Sequence, residues 1–188
     1  MTSPNWTAFA GHLCIAAGSQ ETVARAVSRA GKNGVTGILI FDDSTGRQVE
    51  PDLRGSEDEI VARLAPSNIA EAGRGRPKLG VTAREVTLLP RHWEWLAQQP
   101  GGASGTLRRL VDEARASPAA RRRQAQMVTD RFLSVVAGDL PGYEEVSRAL
   151  YAGNGPGFEA LIAGWSQDIR THALRFAADA FDRDAGDG

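Results

Sequence analysis

A chain of 188 residues, 41% of them hydrophobic and 24% charged, is long enough for one medium domain or for two or three small ones. It contains no apolar run near the ~20 residues that span a membrane, and its first residues lack the basic leader of a signal peptide. Cys14 is the single cysteine, which excludes an intramolecular disulfide and every cysteine-based zinc finger. These features predict a cytoplasmic protein, and no residue pattern points to a cofactor or a membrane partner.

The first 65 residues are predicted to form a small βαββα unit. In chain order its elements are a strand over 7–17, a helix from 20 to 30 capped by Ser19, a buried strand over 35–41, an edge strand after the turn at 42–46, and a helix that begins after Ser56. The helices are indicated by apolar residues at helical spacing, such as Val23 and Val27, and the buried strand by its β-branched residues.

Residues 66–82 are rich in glycine, proline and basic residues, and they are predicted to be a mobile linker arm. Residues 83–117 follow as a strand over 83–90, a helix that starts at Pro90, and a second helix capped by Ser104. Residues 118–188 are predicted to be a helical segment with one long helix and two or three shorter ones. The predicted fold class is therefore α+β.

The net charge of −1 is distributed unevenly along the chain. Residues 1–73 carry −3, residues 74–123 carry +7 and residues 124–188 carry −5. A basic segment between two acidic ones favours binding to a polyanion, because clustered cations release counterions when they bind it. Alternatively, the same arginines cover helix faces and pair with Asp112 and Glu113.

The predicted elements follow the order of a ribbon-helix-helix module: a basic arm, a strand, a helix, a short turn and a second helix. Residues 74–116 resemble that family in this order, in the proline that opens the first helix and in the serine before the second. In that family two chains pair their strands in the major groove, and the N-terminus of the second helix holds a phosphate. The resemblance implies a homodimer that binds double-stranded DNA. A lone strand also requires a partner strand, because its backbone groups are otherwise unsatisfied.

The candidate DNA-binding residues lie in the arm, on the strand and at the start of the second helix: Arg74, Arg76, Lys78, Arg84, Thr87, Ser104 and Arg108. The register of the strand leaves two orientations open. If the residue before Pro90 faces the core, as in the family, Leu88, Val86 and Arg84 face DNA. If the more apolar face of the strand is the buried one, Thr87 and Glu85 face DNA instead. Backbone contacts from the basic residues depend on neither orientation.

The stretch Arg74-Gly75-Arg76-Pro77 also resembles the core of an AT-hook, whose arginines enter a narrow A/T minor groove. A flexible linker with incidental arginines explains the same four residues.

The wider sequence resembles an uncharacterised bacterial family, domain of unknown function 2239. The resemblance runs from FAGHLCIAAGS through LIFDDSTGRQVEPDLRGS and RGRPKLGVTAREVTLLPRHWEWLAQQPGGAS to AGDLPGYEEVSRALYAG and the final helix. This family has no established activity, so the resemblance implies no catalytic residues.

Three functions remain open from the sequence. The first is a DNA-binding homodimer that regulates transcription, with the N-terminal and C-terminal parts free to bind another protein. The second is a non-catalytic interaction module whose central segment only dimerises. The third is a metal-dependent enzyme that uses Asp42 and Asp43, which follow a buried strand and have Glu50 and Asp52 nearby.

The histidines and tryptophans add little to the choice. His12, His92 and His172 fit no metal-ligand or nucleophile pattern, so no catalytic residue is predicted. Trp93 and Trp95 are two residues apart, so one helix face cannot bury both. One is expected in the core, and the other at a dimer contact or at a stacking surface for a nucleobase.

Overall fold

The computed structural model describes residues 5–65 and 84–181. The chain divides into two compact units, of which the first comprises Met1–Ala65 with Pro118–Gly188 and the second comprises Pro66–Ser117. The N-terminal part and the C-terminal helices, which the sequence suggests as separate segments, therefore belong to one unit. Within the described ranges, no helix has the length and apolarity needed to cross a membrane.

A four-stranded antiparallel sheet organises the first unit. Its N-terminal elements are β1 (Asn5–Ala10), β2 (Leu13–Ser19), α1 (Gln20–Lys32), β3 (Ile38–Asp42), β4 (Gln48–Val49) and α2 (Glu57–Leu64). The strand order is β2-β1-β3-β4, which confirms the predicted edge position of the strand after the turn at 42–46. The prediction of one strand over 7–17 was wrong. Gly11 has a φ of +57°, which an L-residue disfavours, and it turns the chain back into a β-hairpin.

The helix starts in this part follow from capping. The Ser19 side chain accepts a hydrogen bond from the Thr22 amide at 3.2 Å. Ser56 and Glu59 form a reciprocal capping box at the start of α2. Both predicted helices are confirmed. They start at these serines because the capping side chains satisfy amides that a helix cannot pair internally.

The second unit contains α3 (Pro90–Ala97) and α4 (Gly102–Ala116). Pro90 opens α3, as predicted. The prediction that Ser104 caps α4 was wrong, because the N-cap is Gly101 in a left-handed conformation and the helix begins at Gly102. Ser104 therefore lies inside the first turn of the helix.

The C-terminal helices complete the first unit. They are α5 (Pro118–Val136), α6 (Tyr143–Tyr151), α7 (Gly155–Ile162) and α8 (Gln167–Ala177), followed by a short 3-10 turn over Ala178–Ala180. The predicted long helix and shorter helices are thereby confirmed.

The sheet is apolar on both faces, which explains why the two ends of the chain share one unit. Successive residues of a strand point to opposite faces. Trp6 and Ala8 lie in one cluster with α1 and α2 residues such as Val23 and Ile60. Phe9 and Phe41 lie in the other cluster, with residues of the C-terminal helices such as Phe132 and Ile169. Each face needs its own layer of helices, because its apolar side chains must be removed from water. The sheet therefore packs between two layers of helices.

Burial in the second unit is sparse. Leu96 and Thr106 are the only residues of the described range 84–117 that are buried. Neither Trp93 nor Trp95 is in the core, with 43% and 48% of their surfaces exposed, so the expectation of one core tryptophan was wrong. The next residue, Leu96, is the buried side chain of α3 instead.

Thr106 has an orphaned hydroxyl, since its buried Oγ1 has no hydrogen-bond partner among the described residues. Replacing Thr106 with valine keeps the shape and removes the unsatisfied oxygen, so we expect the second unit to be stabilised by about 1 kcal/mol. Thr129→Val is the matched control, because buried Thr129 donates to the Ala125 carbonyl at 2.8 Å. Amide hydrogen exchange in α4 measures the effect of Thr106→Val on stability, and exchange in α5 measures the effect of Thr129→Val. A destabilised Thr106→Val variant would show that this hydroxyl has a partner in solution.

Candidate dimer and nucleic-acid interface

The predicted DNA-binding residues fall into two groups. Arg74, Arg76 and Lys78 lie outside the described residues. Arg84, Thr87, Ser104 and Arg108 are described, belong to the second unit and are exposed.

The start of α4 gathers groups that bind anions. Its N-cap, Gly101, supplies no side-chain hydrogen bond. The first-turn amides of a helix have no partner within the helix. The Gly102 amide donates to the Gln99 carbonyl at 3.1 Å, so the amides of Ala103 and Ser104 are the ones that an external acceptor would use. Ser104 and Arg108 are four residues apart and therefore share a helix face. Amides, a hydroxyl and a guanidinium at one helix terminus are suited to a phosphate oxygen.

The segment 84–89, predicted as part of a strand, has no regular secondary structure in the single chain and belongs to no ladder with the described strands. Leu88 is half-buried and lines a groove against α3 and α4, whereas Leu89, which the family rule places in the core, is 48% exposed. In this chain the inward residue is therefore Leu88. Thr87 is exposed, as are Arg84, Glu85 and Val86.

An apolar groove of about 250 Å³ separates α3 from α4. It is lined by Leu88, His92, Trp95, Leu96, Leu107 and Leu110. Other large hydrophobic side chains of the second unit are also exposed, namely Val86, Leu89, Trp93 and Val111. Exposed apolar surface of this density is typical of an interaction site.

The cations of the second unit are mostly unpaired within the described part of the chain. Arg109 forms an ion pair with Glu113 at 2.8 Å, one helical turn away. Arg84, Arg91 and Arg108 have no carboxylate within ion-pair distance among the described residues. Of these four arginines, acidic residues therefore neutralise Arg109 alone.

The family comparison agrees with the resemblance noted from the sequence. Residues 5–177 match the family described as "Uncharacterized protein conserved in bacteria (DUF2239)". The chain belongs to this DUF2239 family. Comparison with curated proteins gives no match, and neither does comparison with solved structures.

The carboxylates considered for a metal enzyme have different partners in this DUF2239 chain. Asp42 accepts hydrogen bonds from the Ser44 amide and hydroxyl and from the Thr45 amide, so it holds the β3–β4 turn. Asp43 pairs with Arg175 at 3.0 Å and accepts from the Thr7 hydroxyl at 2.7 Å. Across the described ranges, no three His, Cys, Asp or Glu residues form a group that could hold a metal ion.

A cysteine–histidine contact between β2 and α8 has no counterpart in the sequence patterns. The Cys14 Sγ lies 3.8 Å from Nε2 of His172. The Nδ1 of that ring lies 2.9 Å from the Asp168 carbonyl, which can only accept, so Nδ1 carries a proton. The Cys14 thiol also donates to the Ala16 carbonyl at 3.7 Å. Burial and the Asp168 carboxylate raise the pKa of the Cys14 thiol. A raised pKa disfavours the thiolate, whereas an activated nucleophile has a lowered thiol pKa.

Cys14 should therefore react slowly with alkylating reagents. We expect iodoacetamide at about pH 8 to modify the native protein several-fold more slowly than the urea-unfolded chain. Asp168→Asn removes the negative charge and should speed the native reaction. Mass spectrometry of the single cysteine gives both rates. A native thiol that reacts faster than the unfolded one would identify Cys14 as an activated nucleophile.

Proposed function

We propose that this protein is a DNA-binding homodimer, a transcriptional regulator whose second unit both dimerises and contacts the phosphate backbone. The observation that carries the proposal is that this unit buries few residues and exposes many large apolar side chains. Its described residues bury only Leu96 and Thr106, yet they expose large side chains such as Val86, Trp93 and Trp95.

A second copy of the chain supplies what the unit lacks. The second unit, Pro66–Ser117, is small, and domains of about 60 residues or fewer bury so little surface that oligomerisation, a metal or disulfides commonly add to their stability. Cys14 is the only cysteine, which removes the disulfide route. Residues 84–89 pair with no described strand, and the same residues of a second copy would pair with them as antiparallel strands about a two-fold axis. The apolar side chains around them would then be removed from water.

The charge pattern supports DNA as the ligand. Residues 74–123 carry +7 between two acidic regions, and a polyanion rewards such clustering by releasing counterions. Within the described part, Ser104, Arg108 and the amides of Ala103 and Ser104 at the start of α4 would hold one phosphate on each chain. Two copies would present two such sites, and the arms with Arg74, Arg76 and Lys78 would extend each of them.

The test is the salt dependence of binding to a random-sequence duplex, measured by fluorescence anisotropy. We expect binding at about 50 mM salt that weakens by at least ~100-fold at about 200 mM. Absence of binding at the lower salt concentration would contradict the proposal.

The second candidate function is the non-catalytic interaction module, and the same apolar surface favours it. A protein that dimerises but does not bind duplex DNA at low salt would select this candidate.

A further inference from the structure

A second groove, in the first unit, has cationic walls. It measures about 380 Å³ and is lined by Gly46, Arg47 and Gln48 on one side and by Arg131, Ser134 and Val135 of α5 on the other. No carboxylate is among these described lining residues. The groove belongs to the first unit, whereas the surface that we propose for DNA belongs to the second.

The β3–β4 turn is fixed against α5, so the two walls are held in place. Gly46 is buried, and a Cβ there would collide with the Val128 carbonyl. Arg131 donates to the Thr45 carbonyl at 3.2 Å, and Gln124 donates to the Ser44 carbonyl at 3.0 Å. A groove with fixed walls loses less conformational entropy when a ligand binds.

The arginines of the groove differ from many others in this unit. Described arginines of the first unit that form salt bridges with carboxylates include Arg25, Arg29, Arg54, Arg63, Arg148 and Arg175. One such bridge, from Arg29, holds the pKa of Glu57 at about 2. Arg47 and Arg131 have no such bridge to any residue that the structure describes. Arg131 uses one of its five N–H groups for the Thr45 carbonyl, and the others remain as donors.

The other side chains of the groove indicate the chemical character of its ligand. Val135 is 44% exposed and provides an apolar surface beside the guanidinium groups. The Ser134 hydroxyl donates to the Arg131 carbonyl, and the Gln48 amide contacts Glu50 at 3.4 Å, so the main free donors are the two guanidinium groups. Two guanidinium groups bind a planar carboxylate or a phosphate through paired hydrogen bonds.

We infer that the groove between the β3–β4 turn and α5 binds a small organic anion, whose phosphate or carboxylate group lies between Arg47 and Arg131 and whose apolar part packs on Val135. The inference is independent of DNA binding by the second unit.

The test uses phenyl phosphate and benzoate as probes at constant ionic strength, with backbone amide shifts of the full chain measured by NMR. We expect at least one probe to bind saturably below about 10 mM, with shifts at Gly46, Arg47 and Ser134. Preference for phenyl phosphate assigns a phosphate ligand, and preference for benzoate assigns a carboxylate. Arg47→Gln and Arg131→Gln should each weaken binding at least ~10-fold, since each removes charge-assisted hydrogen bonds.

Arg54→Gln is the charge-matched control, because Arg54 is a cation of the same unit that does not line the groove. Equal weakening by Arg54→Gln would show diffuse electrostatic attraction and overturn the assignment. Arg131 also ties the turn to α5, so the exposed Arg47 gives the decisive variant if Arg131→Gln alters the fold. If neither probe binds, the small-ligand assignment is wrong, and weaker duplex-DNA binding by Arg47→Gln would then make the groove part of a DNA surface.

Discussion

Replacing Trp93 and Trp95 with serine is expected to convert the protein from a dimer into a monomer at micromolar concentration. Each side chain is more than two-fifths exposed in the single chain, and a tryptophan buried at an interface commonly contributes about 2 kcal/mol or more. Removing two per chain should raise the dimer dissociation constant by roughly 10³-fold or more. Duplex binding should fall with it, because the two phosphate-binding sites would no longer be linked. Sedimentation velocity gives the oligomeric state.

The matched control replaces Leu13 and Tyr151, which are 62% and 54% exposed on the first unit, with serine. This pair should leave the dimer intact. Trp95 also lines the groove between α3 and α4, so its replacement can disturb the packing of these helices. Val86→Ser, in the segment before α3, provides a milder variant that leaves the helices unchanged. If the tryptophan variant remains a dimer with parental helix content, the second unit is not the dimer interface.

Replacing Arg74, Arg76 and Lys78 with alanine is expected to weaken binding to random duplex DNA by roughly 100-fold or more at low salt, since each charge-assisted hydrogen bond to a phosphate contributes about 1.5 kcal/mol or more. The slope of log K against log salt should flatten by about 2.7 per chain, which is about 0.9 for each phosphate that is no longer neutralised. The weakening should be similar across sequences, and a preference for A/T tracts should disappear with it if the arm enters the minor groove. Anisotropy titrations at several salt concentrations measure these effects.

The control for the arm removes the same charge elsewhere through Lys32→Ala, Arg54→Ala and Arg148→Ala, all of them exposed cations of the first unit. That variant should keep most of the DNA affinity. Parental affinity in the arm variant would make the arm a linker and would favour the interaction module.

Local signals in the sequence predicted most of the elements. Ser19 and Ser56 mark helix starts because capping involves residues three positions apart, which a sequence displays directly. The serine at 104 misled for the same local reason: a left-handed glycine three residues earlier starts the helix without a side-chain cap. The hairpin at Gly11 was missed because a single glycine within a run of small residues is a weak turn signal.

The tertiary features depend on residues that are far apart in the chain. The shared core of the first unit brings Phe9 and Phe41 against Phe132, at ring distances of 5.4 and 5.2 Å. The Cys14–His172 contact and the placement of Arg47 and Arg131 on one groove have the same origin. The basic arm stays a prediction from composition, because it lies outside the described residues. The apolar surface of the second unit became visible only in the structure, where α3 leaves Trp93 and Trp95 exposed.

Sedimentation velocity with a fluorescent random duplex of about 25 bp, long enough for two half-sites one helical turn apart, measures dimerisation and DNA binding together. We predict that two chains move with each duplex at low salt, that free protein sediments as a dimer, and that the complex dissociates as salt rises. Free protein that sediments as a monomer, with a duplex that moves alone at low salt, would show that the protein is not a DNA-binding homodimer.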